Sequence, residues 1–435
     1  MFLHDNLEVN EKEHLALAGA DLVEIAREFG TPAYVMDENK IRQTCRLMRR
    51  TMEKEYGKDR FMVLYASKAL SMKEIYRIMS QENMGVDVVS TGEIYTAAKV
   101  NFPMERVYFH GNNKSNADIE MAMNHSVGCF VVDNREEFAK IDALAKARGK
   151  KQKVLLRVAP GIDSHTFEAV NTGRVDSKFG ISLATGQAME AIQYALTLKN
   201  IDFAGVHCHI GSQIFEAKPF CDAAEIMIKL IADIKKETGT EIRELNLGGG
   251  FGARYTEADP KINYADIIRA VAAVIKARCN DHNINIPKIL IEPGRSIVAE
   301  AGLTLYTVGN VKEITGYKNY VAINGGMTDN PRYALYQSKY DAVVCNKNKV
   351  TKERDFECTI AGCCCESGDL IAENIKIQKP TPNDTLAVFT TGAYNFSMAS
   401  NYNRVTRPPV IMIKNKQPRV VVKRQSLEDL VSNDL

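Results

Sequence analysis

The chain has little net charge. Its 56 Lys and Arg nearly cancel 54 Asp and Glu, leaving +2 over 435 residues. That excludes the broad basic field of a nucleic-acid binder and an acidic tail. No apolar run approaches the ~20 residues of a membrane span. The first eight residues bring in acid early, with no long apolar stretch, so no secretory leader is expected and a cytoplasmic location is. Ten cysteines are present, yet no two have C-x-x-C spacing and several fall inside apolar strands. This fits free thiols in a reducing compartment better than a disulfide framework. Internal repeats and low-complexity segments are also missing.

What is present reads as an ordinary globular protein, 45% apolar and 25% charged, long enough for two or three domains and a large core. From about residue 35 to 298, apolar strand-like runs alternate with amphipathic helix-length stretches. Strands are predicted near 61–65, 85–89, 107–110, 129–132, 153–158, 203–208, 243–247 and 288–292. Helices are predicted near 71–81, 91–100, 115–124, 134–148, 184–198, 217–238 and 263–280. In 217–238 the residues Ala224, Met227, Ile228 and Ile231 fall on one face of a 3.6-residue period. Eight such units point to an α/β fold, a closed (β/α)8 TIM-like barrel. A doubly wound open sheet is the alternative, disfavoured because no G-x-G-x-x-G follows the first strand. Beyond residue 300, short β-rich runs near 303–308, 320–323, 342–345, 356–360, 385–389, 410–413 and 419–422 are separated by Gly, Pro, Asn and Asp, the pattern of a β-sandwich or small β-barrel. The expected division is therefore an N-terminal segment 1–34, with an amphipathic stretch over 20–29, packing with the C-terminal domain; a barrel over 35–299; and an all-β domain over 300–435. The polar tail 426–435 is expected to fray.

In a barrel of this kind the chemistry sits at the C-terminal ends of the strands. Lys68 follows the apolar run Phe61-Met62-Val63-Leu64-Tyr65. A lysine held there can lose its charge by desolvation and attack a carbonyl to form a Schiff base; the alternative is a snorkelling side chain with its head in water. The next ends supply Asp87, then His110-Gly111-Asn112, Arg157 with Pro160-Gly161, and His207-Cys208-His209 leading to Ser212. Gly248-Gly249-Gly250 ends the seventh, where a cradle of backbone N–H groups, aided by the Ser212 hydroxyl, suits a phosphate; a flexible turn is the plainer reading. Glu292 ends the eighth. A carboxylate there needs a partner, either Arg295 or a cofactor cation such as a pyridinium nitrogen. His207 and His209, two apart on a strand, would point to one face. That spacing suits a metal, one ring stacked on a flat cofactor, or a packed core histidine, and Asp87 and His110 make a poor complement for zinc. Lysine, phosphate cradle and carboxylate together describe a site for pyridoxal 5'-phosphate (PLP).

These motifs carry a resemblance. Tyr65-Ala66-Ser67-Lys68-Ala69, Asp176-Ser177-Lys178-Phe179-Gly180, His209-Ile210-Gly211-Ser212-Gln213, Gly248-Gly249-Gly250-Phe251-Gly252, Glu292-Pro293-Gly294-Arg295, Gly325-Gly326-Met327-Thr328-Asp329-Asn330-Pro331-Arg332, Cys365-Glu366-Ser367-Gly368-Asp369 and Gly392-Ala393-Tyr394-Asn395 occur in one collinear order over nearly the whole chain. Together they resemble the fold-type III PLP decarboxylases, most closely the branch acting on diaminopimelate. The resemblance implies an alanine racemase-like barrel with a C-terminal β domain, and a head-to-tail homodimer with active sites shared across its interface. It implies decarboxylation of meso-2,6-diaminopimelate to L-lysine and CO2 at the D-configured centre. By motif, Lys68 would be the Schiff-base lysine and His209 would stack on the pyridine ring, with Asp87 also at the cofactor. Ser212, Gly249, Gly250 and Arg295 would lie at the phosphate, with Tyr394 touching cofactor and substrate. Glu292 would hold the pyridinium nitrogen. Arg295, Arg332 and Tyr336 would grip the distal carboxylate and Glu366 the distal ammonium. Cys365, expected from the partner subunit, would protonate the carbanion. No metal is expected.

Two departures stand out: Gly362-Cys363-Cys364 replaces the family's usual Gly-Pro before a variable residue, and Tyr333 follows Arg332 where Pro is more usual. Decarboxylases of ornithine, arginine or carboxynorspermidine are the alternatives within the family. A substrate with both carboxylate and ammonium distally suits Arg332 and Glu366, and ornithine lacks that carboxylate. A non-catalytic PLP-binding homologue would have no need of Lys68, Cys365 and Glu366. An H-x-H metallohydrolase lacks further ligands.

Overall fold

The computed structural model of the protein describes residues 3–162 and 178–435, so the Asp176-Ser177 half of one motif lies outside the described residues. The chain divides into two units, one of residues 44–252 and 262–294, the other of residues 1–43, 253–261 and 295–435.

Among the described residues of the first unit, besides a two-residue strand at Ile181–Ser182, eight strands run in chain order: β1 (Phe61–Ala66), β2 (Gly85–Val88), β3 (Val107–Phe109), β4 (Cys129–Val132), β5 (Gln152–Ala159), β6 (Ile201–His207), β7 (Glu244–Asn246) and β8 (Lys288–Ile291). Each pairs in parallel with the next, and β8 pairs with β1. The ring therefore closes, and the open-sheet alternative falls. Closure puts one face of every strand inside and the other beneath helices. Hence the strands are buried along most of their length rather than on alternate residues. Leu64, Tyr108, Cys129, Val131, Leu155, Ala204 and Leu290 pack together from six of the strands.

The helices start where side-chain oxygens can cap them. Ser90, Ser115 and Asn134 accept backbone N–H groups at the starts of Thr91–Ala98, Asn116–Asn124 and Arg135–Ala147. Lys218–Thr238 buries Ala224, Met227, Ile228 and Ile231 together, as its periodicity predicts, and stops at Gly239 in a left-handed conformation.

The second unit is mostly sheet. Its long strand Gly302–Ile314 pairs antiparallel with Ala33–Asp37, Lys318–Ile323 and Thr385–Phe389. The strand Leu370–Ile377 was not expected: Glu373, Asn374 and Lys376 interrupt its apolar pattern, and Asn374 has a positive φ of 53° beside a register shift against Phe356–Ala361. Near the N-terminus, helix Leu22–Phe29 is capped by Asp21, and Leu15, Leu17, Leu22 and Ile25 pack in one cluster with Val35, Leu303, Phe389 and Ile411. The polar tail is not frayed throughout. Ser426 and Asp429 form a reciprocal capping box that starts a helix at Leu427–Val431.

Candidate active site

The barrel brings its charged groups to the strand ends in chain order. Glu292 follows β8 and is buried. Its Oε2 lies 3.1 Å from His207 Nε2, its Oε1 lies 2.8 Å from His110 Nε2, and Asn246 donates its side-chain amide to Oε1 at 2.6 Å. Burial by itself would raise the Glu292 pKa. The two imidazoles outweigh it and hold this carboxyl well below the usual carboxylate range. Of the two partners expected for Glu292, Arg295 or a cofactor cation, the described residues of the barrel supply a third kind, two imidazoles and an amide. Burial pushes His207 down to about 4, so its ring is neutral near pH 7.

The two histidines of the H-x-H do not share a face. β6 ends at His207, so the alternation of a strand no longer governs His209. His207 packs edge-on against His110, with ring centroids 4.8 Å apart. His209 instead sits against the glycine turn, its Nδ1 accepting from Gly249 N at 3.3 Å. Burial first, then the positive Lys68 and Arg157, lower its pKa well below 6.5. The candidate cation ligands are thus His110, His207 and Glu292, whose ligand atoms lie within 4.8 Å of one another. This set is more complete than the sequence suggested, although its members already serve one another.

Lys68 lies in the single turn Ser67–Ala69 that follows β1, exposed between two buried neighbours. Asp87, at β2, is buried; its Oδ1 has no hydrogen-bond partner among the described residues and lies 3.8 Å from His110 Nε2. Burial raises its pKa, and the neighbouring Glu292 adds to that against the pull of His110, Lys68 and Arg157. Arg157 spreads its guanidinium over the Phe179 ring at 4.4 Å, which ties the described part of the Asp176–Gly180 motif to β5.

The glycines after β7 have two duties. Gly248 and Gly250 adopt positive φ of 68° and 113°, which a side chain would strain. A Cβ on Gly249 would stand 2.1 Å from the Glu292 carbonyl, and one on Gly250 2.5 Å from the Gly211 carbonyl. The turn is therefore wedged between neighbouring strand ends before any ligand is considered. Ser212, half-buried, is two residues from Ile214, which bridges to Phe251 beyond the turn.

The second unit gathers a different set. Arg295 is buried, donates from Nη1 to the Tyr255 hydroxyl at 2.6 Å, and lies over the Tyr394 ring at 4.7 Å. Arg332 lies over the same Tyr394 ring at 5.5 Å and over Tyr336 at 5.3 Å, with its Nε buried and unpartnered among the described residues. Two guanidiniums on one tyrosine make a positive spot that suits an anion. Cys365 and Glu366 are exposed on the loop between Phe356–Ala361 and Leu370–Ile377, where Cys365 N donates to Asn403 Oδ1 at 2.9 Å. Burial and then Asp369 push the Cys364 thiol up to about 12, so it holds its proton near pH 7.

Sequence reasoning missed Asn246 and Tyr255. The signal for Asn246 was an amide inside Leu245-Asn246-Leu247, a polar residue in a strand buried on both faces. Tyr255 had no comparable signal, because it meets Arg295 only through the fold.

A reactive amine, a buried anion, a neutral imidazole and a positive-φ glycine turn match the aldehyde, pyridinium, ring face and phosphate of PLP in turn. Asp87 Oδ1, without a hydrogen bond among the described residues, is a further acceptor within this group. The donor set fits that cofactor.

Comparison with known proteins adds the following. Residues 38–299 match the family model described as "Pyridoxal-dependent decarboxylase, pyridoxal binding domain". The diaminopimelate decarboxylase of Bacillus subtilis (strain 168) is 44% identical over 435 residues, covering 100% of this chain and 98% of the relative. That of Bacillus methanolicus is 44% identical over 427 residues, covering 98% of each. The crystal structure of diaminopimelate decarboxylase from M. jannaschii in complex with L-lysine superposes with a TM-score of 0.92 at 34% identity, covering 100% of this chain and 99% of that one.

Proposed function

We propose, for a chain that belongs to the diaminopimelate decarboxylase family of pyridoxal-dependent decarboxylases, that it removes the carboxylate at the D-configured centre of meso-2,6-diaminopimelate and releases L-lysine and CO2, the last step of lysine biosynthesis. The observation that carries the site assignment is Glu292, a buried anion ringed by His110, His207 and Asn246, one strand away from the strand that leads to Lys68.

PLP bound there would supply an electron sink for the pair left when CO2 departs. Lys68 would hold the cofactor through its amine and yield it to the substrate amine. Glu292 would keep a proton on the ring nitrogen, because its own proton affinity is so low. His209 would lie on the ring face, with Asp87 beside it, and Ser212, Gly249, Gly250 and Arg295 would hold the phosphate, together with Tyr394. Arg295, Arg332 and Tyr336 would take the distal carboxylate by charge-assisted hydrogen bonds, and Glu366 the distal ammonium. Holding the far end would orient the leaving carboxylate for loss and so select the bond that breaks. Cys365 would return a proton to the same carbon. Its exposure on the single chain supports a homodimer in which the partner subunit receives it.

We further assign the protein to the cytoplasm; no helix among the described residues is long and apolar enough to cross a membrane. The functional division we propose keeps 1–34 with the β domain 300–435 and the cofactor barrel at 35–299; the N-terminal cluster with Leu303 and Phe389 supports its first part.

The test is CO2 release from a panel of amino acids. Meso-diaminopimelate should exceed ornithine and lysine well beyond tenfold, and PLP-loaded protein should show a visible imine absorbance that Lys68→Ala abolishes. Wild-type protein that stays colourless with PLP overturns the cofactor assignment; equal rates on ornithine overturn the substrate.

A further inference from the structure

Lys114 is buried, 4% exposed, in the turn that leads from His110 to the helix Asn116–Asn124. Its Nζ donates to Gly111 O at 2.8 Å, to Val131 O at 2.9 Å and to Glu137 Oε1 at 2.7 Å. An ammonium has three hydrogens, and each finds its own acceptor. The acceptors come from three places: the turn itself, β4 and the first turn of the helix Arg135–Ala147. Glu137 is buried too, and its Oε2 accepts from Asp133 N at 3.3 Å. Asp133 Oδ1 in turn accepts from Gly180 N at 3.0 Å. What the ammonium holds is the stretch just after β3. On one side His110 N donates to Val88 O at 2.8 Å, which ties it to β2. On the other side the pairing of β3 with β4 ends at Phe109 and Phe130. Lys114 carries the connection onward, from Gly111 O beside His110 across to Val131 O. His110 Nε2 stands 2.8 Å from Glu292 Oε1.

We propose that Lys114 is a positioning residue for the site at Glu292: its ammonium fastens the turn after β3 to β4 and so sets where His110 meets Glu292. Stability alone gives no reason for a charge here. Burial lowers the Lys114 pKa, and Glu137 beside it only draws it back. An apolar pair of the same volume would avoid desolvating two charges and often holds a fold as well or better. Two carbonyl oxygens from separate segments, however, are joined only by a shared donor, and an ammonium is one that also reaches a third acceptor. The catalytic meaning of the proposal rests on the cofactor assignment; the fastening of the turn does not.

Three full-length variants test it. Lys114→Met combined with Glu137→Met removes both charges at nearly constant volume, and its melting temperature should stay close to that of wild type. Hydrogen exchange needs no turnover: with PLP or without it, the amides of 110–114 in this double variant should exchange at least about tenfold faster. PLP should bind about 10- to 100-fold more weakly, the usual cost of losing a group that orients a ligand's partner. On PLP-saturated protein kcat should fall about tenfold while KM for meso-diaminopimelate stays within about twofold, because the substrate's far end is gripped elsewhere. Lys114→Met alone should show the same losses at the site. Glu137→Gln keeps an oxygen acceptor for Nζ; it should lower the melting temperature yet leave exchange in 110–114, PLP affinity and kcat at wild-type values. Wild-type exchange and PLP affinity in the folded double variant overturn the proposal. So do losses in Glu137→Gln that match those of Lys114→Met, since an ion pair needed only for folding fails equally from either side. Should the double variant not fold, that comparison of the two single variants decides. If wild type neither binds PLP nor turns over, the cofactor assignment falls, and the exchange comparison still judges whether Lys114 fastens the turn.

Discussion

Asn246 bonds Glu292 and the glycine turn at once: its Nδ2 donates to Glu292 Oε1 at 2.6 Å and its Oδ1 accepts from Gly248 N at 2.9 Å. One amide thus sets both the carboxylate proposed for the ring nitrogen and the first residue of the proposed phosphate turn. Asn246→Ala should cost about 1–3 kcal/mol of stability, the usual penalty for orphaning a buried partner, and weaken PLP binding. Chemical denaturation and PLP titration read the two effects separately. Glu292→Gln should keep more of the fold but lower kcat by about 10²–10³-fold, as loss of one preorganised charge does elsewhere.

Cys365→Ala should bind PLP like wild type and lose about 10²–10⁴-fold in kcat, the range for removing a general acid. Cys364→Ala should remain near wild type, because a thiol pushed up to about 12 is already committed to its proton. Steady-state rates of the two variants side by side decide it; the reverse order would move the donor role to Cys364.

Arg332 Nε is buried and unpartnered among the described residues, which leaves it a donor for a ligand carboxylate. Arg332→Gln should raise KM for meso-diaminopimelate about 10- to 100-fold, equivalent to one charge-assisted hydrogen bond, with the cofactor spectrum unchanged. A KM that does not move would remove Arg332 from the substrate.

Gly249→Ala should fail for a packing reason. The new methyl would stand 2.1 Å from the Glu292 carbonyl, an overpacking worth roughly 1–3 kcal/mol or more. The expected outcome is a lower melting temperature even without PLP, which distinguishes the wedge from a pure loss of phosphate binding.

His4 gives a stability effect with a defined sign. Burial, then the charge of Lys40, with Arg254 in the same direction, lowers its pKa from 6.5 to about 4. Between those values the unfolded chain binds a proton that the folded chain refuses. Stability contributed by the neutral ring is therefore present above pH 6.5 and lost as pH falls toward 4, about 3 kcal/mol in all. In His4→Asn, thermal unfolding followed by circular dichroism should show a correspondingly smaller loss on acidification over that window.

Much of the site was legible because a parallel barrel fixes where strand ends go. Lys68, Asp87, His110, His207, Glu292 and the glycine turn could be read as neighbours once eight strand–helix units were counted. The partners of each could not be read that way. His207 and His209 look alike in sequence, yet β6 stops between them and sends one to Glu292 and the other to the glycine turn. Tyr255 and Arg295 are 40 residues apart and meet by a hydrogen bond that no local pattern announces.

The order and type of the elements followed from apolar periodicity, capping residues and turn glycines, all local physics that a sequence carries in full. So did the chemistry available, since reactive side chains at strand ends are a matter of spacing. Only the tertiary structure decided what each group is at neutral pH. Glu292 stays ionised because two imidazoles oppose its burial, while burial, with Glu292 adding to it, drives Asp87 the other way. Proton affinity depends on burial and on charges brought near from distant parts of the chain, and neither exists until the chain has folded.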